Sequence, residues 1–126
     1  RIEMDRLDEL FLMQEAFMKR LSNRDTTFPQ QWPIDMTQKS SQMFVRDLVW
    51  KAQHELAEGV VELKNAKEHR VSDVKGFNSV AFVEEIVDAF KYMQEVLIVM
   101  GITPEMFVEA YKKKDKIVND RIDSSY

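Results

Sequence analysis

An all-α fold is predicted by three features of the sequence. The 126 residues include only three glycines and three prolines. Glu, Lys, Met, Leu, Gln and Ala, all compatible with helices, are common. Apolar residues recur at steps of three and four, the spacing that places them on one side of a helix.

A first helix is expected over residues 3–21, where Leu7, Leu10, Phe11, Gln14, Phe17, Met18 and Leu21 follow that spacing. It should stop near Ser22-Asn23. The polar stretch from there to about Ser40 contains Pro29 and Pro33 and keeps no period, so it reads as a long loop. Loops of that length in a small domain are often functional. A second helix is expected from about Ser41 to Ala66, with an apolar arc of Val45, Val49, Leu56, Val60 and Leu63 as its buried face. A charged connector, Lys67 to Asn78, contains Gly76. Asn78 or Ser79 can cap a third helix running from about Val80 to Met100, which Gly101 ends. Thr103-Pro104-Glu105 signals a restart: a threonine cap, a proline at the first helical position and an acid near the positive end of the dipole. The fourth helix should reach about Arg121. With no internal repeat and no dividing linker, residues 1–126 read as one domain, most simply a four-helix bundle.

Composition narrows the function. Eighteen basic and 22 acidic side chains leave a formal charge of −4, which disfavours nucleic acid as a partner because phosphate binding needs a basic face. The absence of cysteine excludes a disulfide scaffold and thiolate metal sites. The longest apolar run, Val96 to Met100, is far short of the roughly 20 residues of a membrane span. No signal-peptide apolar segment follows Arg1, and a chain starting there is read as lacking upstream residues. A soluble cytoplasmic protein, of a bacterium or a phage-infected cell, is the expectation.

The acids are the features to weigh. Carboxylates three residues apart on a helix share a face and can share a hard cation. Asp5/Asp8, Glu55/Glu58, Glu85/Asp88 and Asp120/Asp123 have that spacing, and about four such pairs are expected from 22 acids by chance. Their number therefore decides nothing, whereas their placement does. At about 100° per residue, Glu85 and Asp88 share a stripe with Ala81, Tyr92, Val96 and Val99, while Glu84, Lys91 and Glu95 take the solvent side. Glu55, Glu58 and Glu62 likewise continue a line through Leu48 and Phe44. Buried carboxylates are normally paired or metal-bound, so a cation between the two helices competes with a rotated register in which the acids are solvated.

The order Glu55-x-x-Glu58, 26 residues, Glu85-x-x-Asp88 on successive helices resembles the all-α NTP pyrophosphohydrolases, a superfamily that includes dimeric dUTPases, MazG proteins and phage relatives. The opening LDELFLMQEAFMKRL is similar to the first helix of dimeric dUTPases, and the ending EAYKKKDKIVNDRIDSSY to the family's closing Tyr, Lys, Asn and Arg. The resemblance implies a four- to five-helix bundle completed by oligomerisation, as a homodimer or dimer of dimers. It also implies hydrolysis of a deoxynucleoside triphosphate to the monophosphate and pyrophosphate. Glu55, Glu58, Glu85 and Asp88 would then bind Mg²⁺, or Mn²⁺, with Glu62 as a further ligand or support. Glu58, or alternatively Glu55, would accept the proton of the attacking water.

For the substrate, the resemblance points Gln14 at the nucleobase. Met18 stands where dimeric dUTPases often carry an Asn or Asp, which leaves the preferred base open. Lys114 or Lys116, with Asn119 and Arg121, would hold phosphates, as would others of the basic run that begins at Lys112 and Lys113. Tyr111 suits a ligand or the core equally. Trp32 and Phe28 can stack on a base, or anchor the loop to the core. Trp50 reads as core or interface, and His54 and His69 form no ligand set. The contrasting reading is a non-catalytic helical dimerisation or adaptor domain with a solvated acidic face.

Overall fold

A computed structural model describes residues 5–63 and 76–124. Among the described residues, four helices follow one another: α1 (Arg6–Arg24), α2 (Lys39–Val61), α3 (Ser79–Val99) and α4 (Pro104–Asp123). No strand occurs among the described residues, so the fold is all-α as expected. The predicted end of the second helix beyond Leu63, the connector up to residue 75 and His69 lie outside the described residues.

Local chemistry explains the boundaries. Asp5 Oδ1 accepts from the Leu7 N–H at 2.8 Å and starts α1. Asn78 Oδ1 accepts from Ala81 N at 3.0 Å and caps α3. Thr103 Oγ1 accepts from Met106 N at 3.1 Å, with Pro104 opening α4. At the end of α3, Gly101 N–H bonds Ile98 O at 3.0 Å and Ile102 N–H bonds Leu97 O at 2.8 Å. These are the paired bonds of a Schellman cap, which requires the left-handed backbone that Gly101 supplies at φ 81°.

The chain forms two compact units. The first comprises residues 1–34 and 97–126, hence α1, the loop after it, the last turn of α3, and α4. Its buried apolar residues are Phe11, Met18, Ile98 and Val99. The loop is tied down by two bonds: Ile34 N–H to Val99 O at 2.8 Å, and Trp32 Nε1–H to Glu15 Oε2 at 2.7 Å. Asp25 Oδ1 accepts both the N–H and the hydroxyl of Thr27, at 2.9 and 2.6 Å, and closes the turn after α1.

The second unit, residues 35–96, contains α2 and most of α3. Asp35 and Thr37 repeat the Asp25–Thr27 turn at its start. Its buried apolar residues are small apart from Leu48, namely Ala52 and Ala89, with Gly59 buried beside them. The expected core arc of α2 is corrected here: Val49, Leu56, Val60 and Leu63 remain exposed, and Val45 is half-buried. Periodicity identifies an apolar face without identifying what covers it, and α2 turns its small residues inward. Trp50 is not core either. It is 56% exposed, with the Arg46 guanidinium 4.5 Å from the centre of its ring.

Candidate metal centre

Leu48, Ala52 and Gly59 mark the buried line of α2, and Glu55 lies on the same line. From α3, Glu85 meets it: an ideal Cβ on Gly59 would stand 3.4 Å from the Glu85 Cβ. The helices therefore approach with little between them, and three carboxylates converge. Glu55, Glu58 and Glu85 each offer an oxygen, and these oxygens lie within 4.8 Å of one another.

The electrostatics of that group are unfavourable for three ionised acids. A proton shared with the Glu55 carboxylate, partial burial and the neighbouring Glu58 charge push the Glu85 carboxyl up to about 7. Glu85 Oε2 is sealed from solvent and has no hydrogen-bond donor. Such an atom needs a proton or a cation, and the hard oxygen set suits Mg²⁺ or Mn²⁺. Glu58 has a second contact: His54 Nε2–H donates to its Oε1 at 2.9 Å. The i, i+4 spacing of His54 and Glu58 held that signal in the sequence, although His54 belongs to no His-based ligand set.

Asp88 and Glu62 stand apart from the close group. Asp88 is exposed and lines an open groove with Ser79, Val80, Val83, Glu84 and Val87. Glu62 is half-buried at the C-cap of α2.

Two residues of α3 carry more than the sequence reading gave them. Tyr92 is half-buried, and burial followed by the charges of Glu55, Glu95 and Asp88 raises its pKa. Glu95, assigned to the solvent side, is instead 4% exposed. Burial pushes its carboxyl up to about 7, with Lys51 and Lys91 acting in the opposite direction. A helical projection collapses the axis: Val80, Val83 and Glu84 at the start of α3 are exposed, whereas Gln94, Glu95, Ile98 and Val99 near its end are all buried.

The expected substrate residues belong to the first unit and are described with it. Gln14, which reads as a surface residue from pattern alone, is 2% exposed, and its Oε1 has no donor. Met18, one turn on, is fully buried. Trp32 is half-buried and held by Glu15, an arrangement that anchors the loop. On α4, Tyr111, Lys112, Lys113, Lys114, Lys116, Asn119 and Arg121 are all exposed, which removes Tyr111 from the core. Lys116 Nζ pairs with Asp120 Oδ2 at 3.3 Å, and Asn119 Nδ2–H donates to Asp115 O at 2.8 Å.

Among the described residues, no helix is long and apolar enough to cross a membrane. No family model, curated protein or solved structure matches the chain.

Proposed function

We propose that the chain is a Mg²⁺-dependent nucleoside triphosphate pyrophosphohydrolase that releases pyrophosphate from a deoxynucleoside triphosphate. The observation that carries this reading is the convergence of Glu55, Glu58 and Glu85, together with a sealed Glu85 oxygen that has no hydrogen-bond partner. A divalent ion bound there would offset the triphosphate charge and orient a water toward the α-phosphorus. Glu58 is the preferred acceptor of the water's proton, with Glu55 the alternative. His54 donates to one Glu58 oxygen and so orients the carboxylate. Asp88 and Glu62 would be further oxygen donors.

Lys114 and Arg121, both exposed on α4, are the proposed phosphate-binding cations, joined by Lys116 and Asn119. Gln14 is the proposed reader of the base, since its amide can accept and donate. Exposed Val80, Val83, Val87 and Phe90 follow one another at three- and four-residue steps along α3. That open apolar stripe supports self-association as a homodimer or dimer of dimers.

A pyrophosphate-release screen over dUTP, dCTP, dGTP, dATP and dTTP with Mg²⁺ tests the reading. Turnover of at least one substrate that Glu58→Gln abolishes is the expected result. No turnover on any of them refutes it and leaves a non-catalytic association domain, whereas full activity in Glu58→Gln refutes the role given to Glu58 and transfers it to Glu55.

A further inference from the structure

We infer that Gly59 is a positioning residue for the carboxylate cluster: the small volume at this position lets α3 pack close to α2, and this close approach keeps Glu85 within reach of Glu55 and Glu58. The inference rests on the metal-site reading above and deepens it.

Glycine weakens a helix interior, so its presence in α2 calls for a reason. Conformational freedom is not the reason, because among the described residues only Gly76 and Gly101 adopt positive φ. Space is. Gly59 is buried on the line of Leu48 and Ala52, one turn after Glu55. A Cβ placed there would meet the Glu85 Cβ at 3.4 Å and two atoms of the Phe82 ring at 3.8 and 3.9 Å. Phe77 packs against that ring with the centroids 5.9 Å apart. A side chain added at position 59 would thus meet the stem of Glu85 and the ring one turn before it.

The close approach acts against the carboxylates' own electrostatics. Three acids with oxygens within 4.8 Å repel when ionised and would spread the helices if nothing held them. One added methyl group fits at ordinary van der Waals distance, while a branched side chain does not. The spacing of the ligands should therefore fail in steps with the volume at position 59.

Mn²⁺ binding to the full chain, followed by the loss of the free-ion electron paramagnetic resonance signal, reads this directly. Gly59→Ala is expected to bind within about threefold of the parent. Gly59→Val should bind at least about tenfold more weakly while keeping its helicity and cooperative melting. Leu48→Ala, which opens a cavity on the same face, should lower Tm and leave Mn²⁺ affinity unchanged. If Gly59→Val does not melt cooperatively, Gly59→Ser replaces it, with a loss of about threefold or more expected.

Parental affinity in a folded Gly59→Val, or in Gly59→Ser where that replaces it, overturns the inference alone. An equal loss in Leu48→Ala does the same, because it would mark a general effect of destabilisation. No Mn²⁺ binding by the parent chain removes the metal-site reading and this inference together.

Discussion

In the unit built on α1 and α4, carboxylates accept from well-placed donors: Asp5 from the Leu7 amide, Asp25 from the Thr27 amide and hydroxyl, and Glu15 from the Trp32 indole. In the α2–α3 unit, Glu55, Glu58 and Glu85 face one another. The same functional group responds in opposite directions. The Thr27 hydroxyl, followed by its amide, holds Asp25 below the usual carboxylate range, whereas Glu85 is pushed up to about 7. Acids of the first kind fix the backbone and need nothing more. Acids of the second kind leave a local rule unsatisfied, and such departures concentrate at functional sites.

The most forceful way to break this contrast is to neutralise the cluster. Glu58→Gln is expected to reduce Mg²⁺-dependent pyrophosphate release by about 10²–10⁴-fold, the range for losing a general base. Glu85→Gln separates the metal's role from the proton's. Because the folded-state pKa of Glu85 is raised, its contribution to stability is fully present below the unfolded value of 4.5 and is lost as pH rises through about 7. Without metal, Glu85→Gln should therefore melt higher than the parent at pH 8. Added Mg²⁺ should raise the parent's Tm and leave that of Glu85→Gln unmoved. A parent Tm indifferent to Mg²⁺ at pH 8 would count against a cation site.

How far the contrast was legible in the sequence differs between its two sides. The helices were legible because their ends carry their own chemistry: Asn78, Thr103-Pro104 and Gly101 act as read, and α3 and α4 begin within one residue of expectation. α1 starts three residues late because Asp5 caps it, a role its spacing alone did not distinguish, and it also ends three residues late, at Arg24. At the candidate site, Glu55, Glu58 and Glu85 were found from their stripes, and the structure brings them together. Asp88 shares the Glu85 stripe yet lines a groove with Ser79, Val80 and Val83, because what a stripe faces changes along the helix axis. Gln14 and Glu95 were misplaced because burial depends on which neighbours cover a turn, and that is a tertiary property.

Glu95 sharpens the comparison within the second unit, since it is a raised acid outside the cluster. Its shift from 4.5 to about 7 comes first from burial, with Lys51 and Lys91 offsetting part of it. The stability it contributes is present below about pH 4.5 and lost as pH rises through 7, which corresponds to about 3 kcal/mol. Glu95→Gln should flatten that part of the pH dependence in urea unfolding followed between pH 5 and 8. An unchanged profile would mean that water or a partner already solvates the carboxylate.

In the first unit, the next effect is steric. Gly101 holds φ 81°, and a Cβ there would stand 3.0 Å from the Pro33 Cβ. Gly101→Ala meets both penalties at the Schellman cap and is expected to cost about 2 kcal/mol in urea unfolding. Mg²⁺ affinity measured alongside should stay at the parental value, because the acids of α2 and α3 form their group without this turn.

The smallest expected effect tests whether capping and metal chemistry are separable in this chain. Thr103→Ala removes the oxygen that accepts from Met106 N at 3.1 Å and leaves the first turn of α4 with an unpartnered donor. The typical loss for an N-cap is about 1 kcal/mol, read as a lower Tm and faster amide exchange at residues 105–107. Pro104, which has no N–H to satisfy, and Glu105 in the first turn remain to support the helix start, so the helix should fray without unfolding. Mn²⁺ binding should not change. Faster turnover with unchanged metal affinity would tie the start of α4 to product release, whereas lost metal affinity would mean that the α2–α3 cluster depends on the first unit for its geometry.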